Sequence, residues 1–477
     1  MVANRKTPKK ATSKGESAQA ALPEFRSRDE RLAAGIALRD SVPRKSHAAW
    51  KPPAKRRDPI DILKESNQGR LPQLIPIRYG RMVRSPFTFL RGSAGLMAYD
   101  LATTPTSGLR VQACGDCHLL NFGLFATPER NLVFDINDFD ETLPAPWEWD
   151  VKRLAVSFVV AARDNRHSDQ AARDAAIKCV RAYREHLRED SKRSPLEIWY
   201  ERLDMQTLIE QAPDAQARKL AEATAAKARQ RIGEYLLPKI STQTGGRRRL
   251  VDQPPVLFHI PESDASRKEQ EEMVSEGMEA YRQSLQPSVR VLFDRYRLED
   301  WAVKVVGIGS VGTLCMVGLF FSSEGHPLLL QFKEAQPSVL EPYAGKSLYE
   351  NHGQRVLVGQ RLMQSSSDIF LGCTRGRRGR DFYIRQLRDM KMSFPIEGMS
   401  PVALKRYAII CGLTLARAHA KSGDAATISG YLGKSDTFDQ AIGEFALAYA
   451  DQTVRDHAKL VAAVKAGRIK ALMEENL

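Results

Sequence analysis

Two short stretches of this chain hold residue types that an ordinary loop has little reason to collect. Gly115-Asp116-Cys117-His118-Leu119-Leu120-Asn121 is followed, after a short strand-like run, by Asp135-Ile136-Asn137-Asp138-Phe139-Asp140-Glu141. In phosphoryl transfer one acid accepts the proton of a hydroxyl. An Asn and a later Asp hold magnesium, which prefers oxygen ligands and keeps some of its waters. Asp116 fits the first task, and Asn121 with Asp138 fits the second, Asp135 being the alternative metal ligand. His118, beside several carboxylates, is expected to brace the loop by a hydrogen bond to one of them. A polar turn with its carboxylates in water is the competing reading.

A second cluster lies far along the chain. Residues 303–317 read as strand, glycine turn, strand, with Gly307, Gly309 and Gly312 in the turn. Because β-type residues follow the glycines, the pattern fits a hairpin folded over phosphates better than a dinucleotide fold, which needs a helix there. A hairpin that uses glycine only for positive φ is the alternative. Lys333 ends the apolar run 328–332, where an unpaired ammonium is costly. A strand-borne Lys that reaches nucleotide phosphates and is held by a helix Glu answers that cost. Glu341 and Glu350 are the candidate partners. Arg78, Arg81, Arg84 and Arg91 either hold phosphate or pair with structural acids.

The elements that must position these residues follow from periodicity and turn signals. Residues 109–113 and 132–134 read as strands joined through the acidic loop and a turn at 127–131. A helix begins after Asp150, its expected N-cap, with Val151, Leu154, Ala155, Phe158 and Val159 at helical spacing. Residues 168 to about 236 are mostly helical, and 264–285 form an amphipathic helix. Strands at 328–333 and 381–387 frame a helix at 353–363, and helices at 402–420 and about 438–464 close the chain.

With 477 residues, 43% hydrophobic and 27% charged, the composition is that of a globular protein of two or three cooperative units. No apolar run reaches the ~20 residues that span a bilayer, and the charged N-terminus does not lead into an apolar segment, so a cytoplasmic protein is expected. Of the net charge of +15, residues 1–57 supply +10, from 15 Lys and Arg against 5 Asp and Glu. This segment is expected to be a disordered tail, and any nucleic-acid contact is confined to it. Six scattered cysteines argue against a disulfide framework. Cys114-Gly115-Asp116-Cys117-His118 matches a haem-attachment pattern, which belongs to exported proteins, and no second ligand pair makes it a zinc site. A redox pair would have to open a helix after a strand.

Gly115, Asp116, His118 and Asn121 together resemble the catalytic loop of aminoglycoside phosphotransferases and choline kinases. Asp138-Phe139-Asp140 resembles their metal-binding segment, and Trp149-Asp150-Val151-Lys152-Arg153-Leu154-Ala155 the helix start that follows it. The glycine hairpin with Lys333 and the strand near 382–387 resemble the small lobe and hinge of the same fold. In that superfamily the small lobe comes first, whereas here the catalytic loop does, which implies circular permutation. The resemblance implies a His immediately before the Gly-Asp pair; this chain has Cys114. Across the whole chain, Pro76-Ile77-Arg78-Tyr79-Gly80-Arg81-Met82, Asn137-Asp138-Phe139-Asp140-Glu141, Pro146-Trp147-Glu148-Trp149-Asp150 and Gly359-Gln360-Arg361-Leu362-Met363-Gln364 resemble the bacterial domain of unknown function 2252 family, which brings no substrate with it.

The expected fold is therefore α+β, protein-kinase-like and two-lobed, circularly permuted, with a mostly helical large lobe and a small antiparallel β lobe. Residues 1–57 are the tail, 58–295 the lobe with the catalytic loop, 296–395 the β lobe and 396–477 the helices completing the large lobe. The expected activity is an ATP- and Mg2+-dependent phosphotransferase acting on a hydroxyl acceptor, small molecule or protein. Nucleotidyl transfer to protein, or nucleotide binding without turnover, is the alternative.

Overall fold

In a computed structural model of the chain, residues 25–260, 276–376, 379–387 and 389–473 are described. The fold is mixed α+β. Its largest sheet is antiparallel, in the order Gly372–Arg375, Asp381–Gln386, Pro327–Ala335, Cys315–Ser322, Tyr296–Lys304, Leu257–Phe258. Side chains alternate across a strand, so Leu328 and Leu330 face one way and Leu329 the other. The first pair packs with Tyr281, Phe293 and Phe370. Leu329 joins Leu236, Leu237 and Ile240 on the opposite side. With both faces covered, the central strand is apolar except where it carries Gln331, Lys333 and Glu334.

The main core is helical. Trp147–Asp164 is buried around almost its whole circumference, which suits a helix packed on all sides. It lies against Asp169–Asp190 and Thr437–Lys465, and Pro401–Ala420 packs on Asp169–Asp190. Trp147 stacks on Tyr183 with ring planes 4° apart, fixing the start of one helix against the middle of another.

Several expectations are corrected. The basic tail is folded from Arg28 onward: Arg28–Ser41 is a helix opened by a Ser27/Glu30 capping box. It docks on Ala425–Leu432, where Arg39 Nε donates to the Tyr431 carbonyl at 2.9 Å. His47 is fully buried and its Nε2 lies 2.7 Å from the Tyr431 hydroxyl. Low hydrophobicity misled because the segment folds against another part of the chain, with its arginines capping foreign carbonyls. The β region starts earlier than residue 296, since Leu257–Phe258 forms its edge strand. Ile75–Met82, Pro86–Gly92 and Ala425–Leu432 are additional helices. Of the expected helix at 264–285, residues 276–284 are helical and 264–275 lie outside the described residues.

Candidate functional site

The segment 114–121 is suspended between two small antiparallel ladders. Arg110–Ala113 pairs with Leu143–Pro146 on its near side. On its far side Phe122–Ala126 pairs with Leu132–Ile136. Gly115 takes φ +83°, and a Cβ there would stand 2.3 Å from the Glu141 carbonyl oxygen, so the turn needs glycine on both counts. The Asn137 amide donates to the Asn121 carbonyl at 2.7 Å, tying the first acidic stretch to the second.

Asp150 does not cap its helix. Trp147–Asp164 starts three residues earlier, with Pro146 at the N-cap. The carboxylate instead accepts the Cys114 amide at 2.6 Å and the Gly115 amide at 3.0 Å. His419 Nε2 lies 3.3 Å from Asp150, and Tyr183 holds the other ring nitrogen at 2.9 Å. Asp150 and His419, from two helices, thus brace the turn at Gly115, while the Cys114 thiol donates to the Asp138 carbonyl at 3.3 Å. Burial pushes the Cys117 thiol well above its usual range, and only a three-residue turn, Leu119–Asn121, follows the pair, so a redox role has no support.

Arg153 holds Asp116. Its Nε donates to Asp116 Oδ1 at 2.7 Å, Nη2 reaches the same oxygen, and Nη2 also donates to the Leu90 carbonyl at 2.9 Å. Arg153 sits on an apolar helix, where a buried guanidinium needs a partner. That is the signal in the sequence that could have singled it out. His118 Nε2 is 4.0 Å from Asp116 Oδ2, too far for a hydrogen bond. Burial drives its pKa down to about 4, leaving a neutral imidazole at pH 7. His118 braces the loop through its backbone, accepting from the Asn121 amide at 2.8 Å and donating to the Asp116 carbonyl at 2.9 Å.

Lys333 crosses from the sheet into this centre. In the ladder it stands between Cys315 and Tyr383, and its ammonium lies 3.5 Å from Asp138 Oδ1 and in contact with Asp140 Oδ2. Burial alone would lower its pKa, but Asp138 and Asp140 outweigh burial and hold it well above the usual lysine value. Its partners are therefore these two acids. Glu341 lies near His352, and the Glu350 carbonyl accepts from Arg375. Where a helix Glu was expected, the helix His352–Met363 presents Arg355, which donates to the carbonyls of Thr142 and Asp140 at 2.7 and 2.8 Å.

Asp140 also accepts from the Tyr383 hydroxyl at 2.7 Å and from the Ser310 hydroxyl at 2.9 Å. The second bond pins the glycine turn over the acids. Gly307 and Gly312 take positive φ, whereas Gly309 has another requirement: a Cβ there would stand 3.3 Å from the Arg91 carbonyl and 3.7 Å from Asp116 Oδ2. Arg385 Nη1 and Lys391 Nζ both donate to the Asn137 carbonyl, at 3.1 and 3.2 Å. Burial pushes Asp138 up, but Lys333, Arg385 and Lys391 outweigh it and hold the carboxyl below its usual range. Burial brings the Lys391 ammonium down to about 7.

Asp135 is separate from this group. It is fully buried, its Oδ1 takes Arg417 and its Oδ2 takes the Ser365 amide and hydroxyl at 2.8 Å each. Its place as alternative metal ligand is corrected to a structural ion pair. Asn121 and Asp138 each keep an oxygen of the kind that magnesium takes. Asn121 spends its amide nitrogen on the Asp116 carbonyl at 2.5 Å, leaving its oxygen, and Asp138 Oδ1 is buried without a hydrogen-bond donor.

The sequence stretches with chemistry therefore meet: Asp116, Asn121 and Asp138 from one half of the chain, Gly309, Ser310 and Lys333 from the other. No curated protein and no solved structure matches the chain. A family model does match, over residues 70–463, a span that includes every member of this centre, and the chain belongs to that family, the uncharacterized protein conserved in bacteria DUF2252.

Proposed function

We propose that this centre transfers the γ-phosphoryl group of ATP to a hydroxyl acceptor, in a kinase-like arrangement whose two parts are circularly permuted along the chain. The reading rests on one observation above the others, the meeting of strand-borne Lys333 with Asp138 and Asp140 beneath a glycine turn whose Ser310 donates to Asp140. Asn121 and Asp138 would hold magnesium, which supplies charge neutralisation at the phosphates. Lys333 exchanges part of its pairing with the acids for the α- and β-phosphates, and the turn from Gly307 to Gly312 covers them. Asp116, oriented by Arg153, accepts the acceptor's proton as its oxygen bonds to the γ-phosphorus, the bond to the bridging oxygen breaks, and ADP leaves.

The Arg153 fork on Asp116 favours a second reading, since it commits the carboxylate to holding the loop against the helix Trp147–Asp164. In that reading the protein binds nucleotide without turnover. Nucleotidyl transfer uses the same groups with the α-phosphorus facing the nucleophile. Thermal-shift measurements with Mg-ATP on wild type and Asp138→Ala, followed by mass spectrometry of products, separate the three. A phosphoryl gain supports the kinase reading, an AMP gain supports nucleotidyl transfer, and stabilisation without a product supports the binding module. Equal absence of stabilisation in both proteins removes all of them.

A further inference from the structure

Among the described residues, His186, Asp190 and Glu201 bring one ligand atom each to within 4.8 Å of one another, away from the Asp138 centre. His186 and Asp190 are one turn apart on the helix Asp169–Asp190, so both face the same side. Glu201 follows the short helix Pro195–Tyr200 and folds back onto them. His186 Nε2 lies 3.5 Å from Asp190 Oδ2 and 3.2 Å from Glu201 Oε2. Ligand atoms ~2.0–2.2 Å from a tetrahedral zinc ion stand about 3.3 Å from each other, so both separations already match coordination edges.

Two further observations point to a cation. Asp190 is fully buried, and its Oδ2 accepts no hydrogen bond although it is turned toward the cluster. The outer oxygens are held elsewhere: Arg193 Nη1 lies 2.7 Å from Glu201 Oε1 and 3.2 Å from Asp190 Oδ1. Arg193 thus orients both carboxylates from behind, as an outer-shell partner does, leaving the inner oxygens beside the imidazole nitrogen, which shares a hydrogen bond with Glu201 Oε2 that a metal would replace.

We propose that His186, Asp190 and Glu201 form a binding site for a divalent first-row transition metal, with zinc the ion that best suits one imidazole and two carboxylates in tetrahedral array. The imidazole biases the site against magnesium and calcium, which take oxygen donors. Partial exposure of His186 and Glu201 leaves a fourth position for water. The metal cross-links the end of a core helix to the segment bearing Trp199, whose ring lies 4.4 Å from the Lys421 ammonium.

The test is zinc uptake by the full chain after chelator treatment, comparing wild type with His186→Gln and Glu201→Gln. Asp138→Ala serves as a control for binding at the other acidic centre. The expected result is one equivalent of tightly held zinc in wild type and Asp138→Ala, lost in both site variants, with near-ultraviolet circular dichroism unchanged. Cobalt substituted into wild type should give the intense visible absorption of a four-coordinate ion, absent from His186→Gln. Wild type that retains no more zinc than His186→Gln, or cobalt spectra that do not differ, overturns the proposal.

Discussion

Lys333 Nζ lies 3.5 Å from Asp138 Oδ1, although the two residues come from opposite halves of the chain and from different kinds of element, a central strand and a loop. The Lys333 side chain is 3% exposed, so its charge is supported by the acids and not by water. Lys333→Met is expected to lower stability by ~2 kcal/mol, less than for a fully buried pair because both acids keep some exposure. It should also abolish Mg-ATP stabilisation in thermal-shift measurements. A variant that keeps that stabilisation would show that Lys333 pairs acids only.

Asp150 is nearly fully buried and accepts two consecutive loop amides. Asp150→Ala leaves both donors without a partner and should cost about 2–4 kcal/mol, read from the denaturant midpoint. Native-state hydrogen exchange should show the Cys114 and Gly115 amides losing protection first, ahead of the surrounding helices.

On the proposed reading, variants of Asp116 and Arg153 distinguish chemistry from binding. Asp116→Asn is expected to cut turnover about 100- to 10,000-fold while leaving Mg-ATP stabilisation intact. Arg153→Lys keeps the charge but loses the fork, so turnover should fall about 10-fold or more with little change in nucleotide affinity. Equal loss of binding and turnover would place Asp116 among the nucleotide ligands instead.

Glu141 supplies a pH dependence with a definite sign. Burial raises its pKa to about 7, although the Val339 amide donates to it at 2.8 Å. Between the ordinary carboxylate value and about 7 the folded protein holds a proton that the unfolded chain has released. Its contribution is therefore present at low pH and lost as pH rises through 7. Glu141→Gln should gain on wild type by ~1–2 kcal/mol between pH 5 and pH 8 in urea unfolding. No change in the difference between the two proteins across that range would show Glu141 to titrate normally.

Lys391 is brought down to about 7 by burial and donates to the Asn137 carbonyl beside Asp138. Its cationic form predominates below that value; if the centre binds nucleotide as proposed, that charge favours the phosphates, and Mg-ATP stabilisation should weaken as pH rises from 6 to 8. Lys391→Arg, which stays charged, should flatten that profile relative to wild type.

The sequence by itself determined which residues could do chemistry and the local elements that carry them. Asp116, Asn121, Asp138 and Lys333 were legible because acids, an amide and an ammonium in apolar or turn contexts have few other reasons to be there. The glycine turn was legible because Gly307, Gly309 and Gly312 interrupt two runs of β-type residues, and the central strand because Leu328, Leu329 and Leu330 must all be covered. Tertiary structure alone decided the pairings. A buried cation must find an anion, but the sequence does not say which, so Lys333 takes Asp138 and Asp140 where Glu341 or Glu350 was expected. Likewise Asp135 turns to Arg417 and Asp150 turns from its helix to the loop amides. The Arg28–Ser41 helix was hidden for the same reason: it is stabilised by carbonyls that lie nearly 400 residues further along the chain, beyond the reach of any local signal.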